Sequence, residues 1–583
     1  MEAFMKAAKR KGWRIVQRFL CVTIVLTFIG CNDNRTGEVT ALDGGLYRIE
    51  VFNTAFNFMG MQGGWWGGIV RDKFNLELNI IAPQGVGDTM FQTRSAAGNL
   101  GDLIIARRGQ IQDLQRAGLL MDLRPLLPSA PNVRQKLSVA YEEFAKIFPG
   151  DGIWALPGRV SARSPMEPAG RGFDPEAAVF IRFDWYLKIG APEIAGKDGL
   201  LDVLYQMVRA HPVNERGDRT FAFSLFPDWD GLTVRAAREM MKILDGFHDG
   251  SGTSFIWMNA DGTETTYLLE DNSLYHQYLR WLNRAFRMGI LDPDSATQNW
   301  DTARAKFRDG RIAFGFWPFI ADSIFAHVDF SNRSPYAVVP VTGGTVINMG
   351  YNPYGLDVFA YAIGSNARYP ERIMEFIDWL CSPEGVLLFN NLVRGVTFEL
   401  DDNGAPYPTE FGLDPNPNKM APEHLGGGSW FAGGQQIMLP LIHPDDPNEL
   451  LNGYPVNPVF WPSVIEAISQ NEWVPQWREM FQADNPLEML KNRDMLQVRP
   501  GTEWHAPVVP SEISFKMNQI GRVVQPAGWR MIFARSDAEF DRIWREMRAQ
   551  LNDLGYQEVL AFERENIRNH AAAIQRVMRE FGD

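Results

Sequence analysis

Tyr47-Arg48-Ile49-Glu50-Val51-Phe52, Leu76-Glu77-Leu78-Asn79-Ile80-Ile81 and Asp102-Leu103-Ile104-Ile105-Ala106 are three short apolar runs with room for one helix in each gap. The first gap holds Gly63-Gly64 followed by Trp65 to Phe74, and the second holds Asp88 to Ala97. Strands joined through a helix run parallel, because antiparallel neighbours need only a tight turn. The stretch from 47 to 106 therefore predicts a βαβαβ start to a mainly parallel sheet covered by helices. Further along, Gly152-Ile153-Trp154-Ala155-Leu156-Pro157 precedes a strand at Ala178–Arg182 and a helix at Asp184–Ile189. Leu274, Tyr278, Leu282 and Ala285 recur at helical spacing, as do Ile373, Phe376, Ile377 and Leu380. Residues 400 to 520 are rich in Pro, Gly and Asn and read as irregular, whereas Asp537 to Phe581 reads as helix.

The N-terminus has a different character. Lys6, Lys9, Arg10, Lys11, Arg14 and Arg18 precede an uninterrupted apolar run from Phe19 to Ile29. That run is well short of the roughly 20 residues a spanning helix needs, and it predicts an export signal. Gly30-Cys31 resembles a bacterial lipobox, although Phe28 stands where Leu is usual. In a lipobox the cysteine receives a diacylglycerol and becomes the mature N-terminus. The expectation is a signal over 1–30, a tether over 31–45, and a body held at the outer side of the cell membrane through Cys31 alone. Without residues 1–30, which carry six Lys/Arg and one Glu, the formal charge moves from −13 to −18. Such acidity argues against nucleic acid or anionic lipid as a partner of the body. Cys21 leaves with the signal and Cys31 is acylated, so Cys381 is left without a disulfide partner and stability must come from a large core.

Several segments together resemble the extracellular solute-binding proteins of family 1, in the long lipoprotein branch that serves carbohydrate ABC importers. They are Asp102–Ile105, Asp151–Pro157, Ile181–Gly190, Phe307–Trp317, Tyr369–Gly385 and Ser536–Glu563, in that order. The resemblance implies an α/β fold of the two-lobed periplasmic-binding-protein type (type II). Each lobe would be a mainly parallel sheet flanked by helices, with a hinge between them. The boundaries implied are 46–156 with 345–400 for lobe 1, and 157–344 with 401–583 for lobe 2. Crossovers are expected near Trp154–Arg159 and Val338–Thr345. It further implies a monomeric receptor that captures an oligosaccharide or other small solute and delivers it to permease subunits. Members of this branch often carry a calcium loop in the second lobe. Here the corresponding stretch, His211 to Arg219, is interrupted by Arg216 and Arg219, which disfavours a hard cation. The eight histidines never approach metal-ligand spacing, and no cofactor is expected.

A pyranose presents an apolar C–H face and a ring of hydroxyls, so its site needs aromatic platforms and paired polar groups. Trp65 and Trp66 follow a strand and two glycines; neighbours on one helix cannot both face one core, which leaves at least one available. Trp229 lies in a loop between Asp228 and Asp230, Trp317 precedes Pro318 at a strand end, and Trp430 follows Gly426-Gly427-Gly428-Ser429. The resemblance favours Trp317. Asp102 is the candidate acceptor for a hydroxyl pair. Arg182 and Asp184 serve equally as solute contacts or as a structural ion pair. Trp185, Trp281 and Trp379 fall on apolar helix faces and read as core. The residues alone also admit a receptor for peptide or another non-sugar solute. An enzyme cleaving polysaccharide would need two carboxylates at a defined separation, for which Asp228/Asp230 and Asp401/Asp402 are the candidates.

Overall fold

The computed structural model describes residues 45–54, 58–82, 89–170, 172–249, 255–321, 323–325, 335–414, 416, 418–507 and 509–582. Cys31, the expected signal and the expected tether up to residue 44 lie outside them. At the centre of the first sheet, Tyr47–Asn53 pairs in parallel with Leu76–Ile81, Tyr47 opposite Leu76, and with Leu103–Arg107, Val51 opposite Leu103. Along Leu76–Ile81 every second side chain is buried, as expected for a strand with one covered face. Leu103 to Ala106 are buried without alternation, because this strand is covered on both faces.

Three further strands make this sheet mixed rather than mainly parallel. Leu356–Ile363 runs antiparallel to Leu103–Arg107, with Leu156–Gly158 antiparallel beyond it, and Gly60–Met61 pairs antiparallel with Leu76–Ile81 on the other edge. The correction has a topological cause: Leu356–Ile363 enters the sheet from the opposite side, on its return from the second lobe. In that lobe Phe180–Arg182 lies between Phe314–Gly315 and Tyr336–Val338, antiparallel to both. Parallel contact there is limited to the short pair Val346–Met349 with Leu496–Arg499 and to single bridges such as Phe221–Ile312 and Phe223–Leu291. The helices Arg235–Leu244 and Ser511–Ile532 pack against Leu274–Arg287, and Asp537–Leu551 and Tyr556–Phe581 against Ser511–Ile532. Ser273 and Ser536 cap two of these helices by accepting from the amides of His276 and Glu539.

Three segments, which we take as the connections between the lobes, run side by side. The Arg159 amide donates to Pro440 O (2.9 Å), Val160 to Leu441 O (2.9 Å), His443 to Val160 O (2.9 Å) and Ser161 to Asn352 O (3.1 Å). The second connection falls later than 338–345, because Val346–Met349 still pairs with Leu496–Arg499 inside the second lobe. At Gly350 a Cβ would come within 1.8 Å of the Pro165 carbonyl oxygen, so only glycine permits this approach. With the third connection taken at 440–443, we propose that the chain just before it belongs with the first lobe. Residues 433–439, expected in lobe 2, bind the first lobe: Gly433 O accepts from Trp66 N (3.0 Å), Ile437 O from Asn53 Nδ2 (2.8 Å) and Leu439 O from the Tyr361 hydroxyl (2.6 Å). Beyond it, the proline-rich stretch contains the short helices Pro462–Ser469 and Pro486–Asn492, each with its proline in the first turn, where no amide hydrogen is needed.

Candidate functional site

A cavity of about 660 Å³ opens where the three connections meet. Its floor is built from the connections themselves: Arg159 from the first, Tyr351 and Asn352 from the second, His443 and Asp445 from the third. Arg304 and Phe319 from the second lobe, and Asn390 from the first, complete the walls used below. Asp445 accepts hydrogen bonds from the Tyr351 hydroxyl (2.8 Å) and from Asn457 Nδ2 (2.9 Å). Burial and the adjacent Asp445 carboxylate push the Tyr351 hydroxyl well above its usual pKa, so it stays protonated and donates. Burial pulls His443 down to about 4; the opposing pull of Asp445 is outweighed, with Arg159 and Arg163 adding to the depression. Its imidazole is therefore neutral at pH 7 and stands edge-on to Tyr351, ring centroids 5.0 Å apart. Arg163 lies over the Tyr351 ring at 4.5 Å and pairs with Glu167, holding the ring from behind.

An aromatic wall adjoins this floor. Trp229 and Trp300 are 4.5 Å apart, Trp317 stacks on Phe319 at 5.6 Å with planes 11° apart, and Trp229 to Trp317 is 6.0 Å. Phe319 is the member on the cavity surface. Trp229, Trp300 and Phe319 are half-buried and Trp317 is buried. The Trp317 indole donates to Glu239 (3.3 Å), while the Arg235 guanidinium lies 5.6 Å from Trp229 and 5.0 Å from Trp317. Charge neutralised behind the rings fixes their orientation. A planar apolar face beside paired amide and hydroxyl groups can hold a polyhydroxylated ring: the face covers its C–H side and the polar groups reach its hydroxyls.

Of the candidates from the sequence, Trp229 and Trp317 thus come together beside the cavity, with Trp317 one layer back. The others do not reach it. Trp65 and Trp66 are both buried, at 1 % and 0 % exposure, which corrects the expectation that one would be available. They escape the single-core limit because each has its own cover: Trp65 stacks on Trp430 and donates to its carbonyl (2.9 Å), while Trp66 packs against Phe376 and Trp379. Trp430 is consumed by the same stack. Asp102 lies at the start of its strand, at the opposite edge from the strand C-termini. It accepts from the Glu50 amide (2.8 Å), the Arg368 amide (2.9 Å) and the Arg368 guanidinium (2.8 Å). Burial works to raise its pKa, but these bonds to Arg368 and Glu50 hold the carboxyl below the usual range. Arg182 and Asp184 form an ion pair, and Arg182 covers Trp185 at 4.7 Å. Tyr351, Asn352, Asn390, His443, Asp445 and Phe319 were missed. A hydroxyl, amide or ring in an aperiodic loop carries no signal until distant segments converge.

The stretch that corresponds to the branch's calcium loop is tied by protein donors. Asn214 Oδ1 accepts from the amides of Arg216 (3.0 Å) and Asp218 (2.8 Å), and Arg216 pairs with Asp309 at 3.0 Å. Three of the four carboxylates considered for hydrolysis are likewise engaged. Asp228 accepts from the Trp300 amide (2.8 Å), Asp230 from Trp529 Nε1 (2.6 Å) and Gln525 (2.9 Å), and Asp401 from the amides of Asn403 and Ala405. Among the described residues no helix is long and apolar enough to cross a membrane.

Comparison with known proteins agrees with this architecture. No protein-family model matches the chain. The lipoprotein LipO of Bacillus subtilis (strain 168) is 23% identical over 261 residues, 43% of this chain; the match spans about half (48%) of that relative. Among solved structures, the ABC-transporter substrate-binding protein FusA of Streptococcus pneumoniae, an EF-hand mutant in complex with fructo-nystose, superposes with a TM-score of 0.59. Its identity is 14%, over 90% of this chain and 100% of FusA. The alginate-binding protein AlgQ2, without calcium ion, gives 0.59 at 15% identity, over 91% of this chain and 99% of its own. An HMO-binding, ABC-transporter-associated solute-binding protein of Bifidobacterium longum infantis gives 0.54 at 16%, over 90% and 99%. The chain has the two-lobed fold of the periplasmic solute-binding proteins.

Proposed function

We propose that this protein is a membrane-tethered receptor that captures an oligosaccharide between its lobes and delivers it to the permease of an ABC importer. The observation that carries the reading is the cavity at the three connections, with Phe319 on one wall and Asn352, Asn390, Tyr351 and His443 around it. Its volume lies in the range of small-molecule sites, which run from about 300 to 1,000 Å³. The neighbours named for fructo-nystose, alginate and HMO binding support a saccharide over a peptide. A catalyst would need a pair of acids free to exchange protons with a glycosidic oxygen, and Asp228, Asp230 and Asp401 hold main-chain, indole and amide groups instead. Binding and release, rather than turnover, is the work assigned to this cleft. Closure is a hinge motion in which the connections bend and solute gains contacts to both lobes only in the shut form. The lipid anchor on Cys31 keeps the receptor at the outer membrane surface, as a monomer, beside its permease. Isothermal titration of the full body against neutral and acidic oligosaccharides and against peptides tests the reading. Saccharide binding without turnover supports it, and binding of peptide alone overturns it.

A further inference from the structure

Resting on that reading of the cavity, we propose that the cognate saccharide is anionic, an oligosaccharide whose uronate carboxylates or sulfate esters are gripped by Arg159 and Arg304. Both side chains line the cavity and both are exposed. Neighbouring arginines are already paired, Arg163 with Glu167 and Arg235 with Glu239. Arg159 and Arg304 have no carboxylate within 4.0 Å among the described residues. The chain as a whole is acidic, with 70 Asp+Glu against 57 Lys+Arg, so two open guanidinium groups in one cleft run against its general charge. Two acids also lie on the cavity wall, Glu176 and Asp445; Asp445 is turned to the Tyr351 hydroxyl and the Asn457 amide, so neither acid is paired with Arg159 or Arg304.

The backbone at Arg159 gives independent support. Its φ is +55°, a left-handed conformation that costs a side-chain-bearing residue and that glycine adopts freely. Gly158 stands immediately before it, yet the strained position carries an arginine. The strain is held by the hydrogen bonds from Arg159 N and Val160 N to Pro440 and Leu441, so the guanidinium projects from a fixed root. Arg304 lies on the helix Trp300–Arg308 with its guanidinium 6.0 Å from the Trp300 ring, beside the aromatic wall. A guanidinium fork matches a carboxylate or sulfate in two parallel hydrogen bonds, which hydroxyls alone do not require.

The test is isothermal titration of the wild-type body with uronate tetrasaccharides, the same tetrasaccharides carboxyl-reduced to neutral sugars, and a sulfated tetrasaccharide. The expected result is at least about tenfold tighter binding of an anionic probe than of its neutral counterpart, a preference that falls as salt is raised. Arg159→Gln and Arg304→Gln should each bring that ratio toward one, with unchanged melting curves excluding misfolding. Because Arg304 is exposed on a helix, its variant keeps the test open should Arg159→Gln fold poorly. Preference for the uronate or for the sulfated probe identifies the source of the anion. Equal or tighter binding of the neutral form overturns the proposal and leaves the saccharide reading standing. Binding of no anionic probe also overturns it, and if peptides alone bind, the saccharide reading falls with it.

Discussion

Trp65 and Trp430 lie face to face, ring centroids 4.4 Å apart and planes within 8° of parallel, although 365 residues separate them. Each occupies the face that a sugar would need from the other. The stack fastens the segment leading to the third connection onto the first lobe's leading helix. Trp430→Ala should therefore cost about 3–5 kcal/mol of stability, the range for removing a buried aromatic. Chemical denaturation measures the loss. A variant as stable as the wild type, but unable to bind sugar, would return Trp430 to the list of platforms.

Phe319→Ala removes the ring on the cavity surface. Losing an aromatic platform forfeits about 1–3 kcal/mol, or roughly 5- to 150-fold in affinity. Titration calorimetry with the cognate saccharide reads this directly. Trp317→Ala, one layer behind, should lower both affinity and melting temperature, because its indole braces Phe319 and is bonded to Glu239. Wild-type affinity in a folded Phe319→Ala would remove this wall from the site.

The buried imidazole of His443 makes stability depend on pH. Its folded pKa of about 4 lies below the value of about 6.5 for an unfolded histidine, so the unfolded chain takes up the proton first. The contribution is complete above about pH 6.5 and is lost progressively down to about pH 4, amounting to up to about 3 kcal/mol. Melting curves of the wild type and of His443→Gln should draw together across that window. A constant gap would mean that His443 is not the titrating group.

Gly350→Ala places a methyl group against the Pro165 carbonyl, between two adjacent segments. Relief requires moving backbone rather than a side chain, so destabilisation of about 2 kcal/mol or more is expected. A thermal shift assay suffices, and a wild-type melting temperature would show that the segments separate readily.

Cys31→Ser should release the protein from membranes or leave its precursor unprocessed, checked by fractionation and N-terminal mass. Normal processing with full membrane retention would place the anchor elsewhere.

The sheet's leading strands were legible because apolar alternation and helix-length gaps are local properties. Leu76–Ile81 reads the same from the sequence and in the structure. Asp102 misled because its charge was weighed without its position. A residue that opens a parallel strand lies at the edge away from the strand C-termini, where such folds hold ligands. Trp65 and Trp66 misled for a different reason. Helical periodicity counts one core per helix face, and here a distant loop and a distant helix supply two covers. The cavity floor was illegible in principle: Arg159, Tyr351 and His443 become neighbours only through hydrogen bonds among segments almost 200 and 100 residues apart in sequence.

Those same three residues line the cavity and, on the proposed reading, also lie on the connections between the lobes. In a receptor that works by bending, the parts that choose the cargo are then also the parts that flex, so selectivity and gating cannot drift apart. A substitution at Tyr351 or His443 that admits a new sugar will reset the balance of open and shut forms as well. Phe319, Asn390 and Arg304 stand on the walls and carry no such burden. Cargo can be re-specified there without retuning the latch, and a biosensor built on this scaffold should keep its connections untouched and be diversified only on its walls.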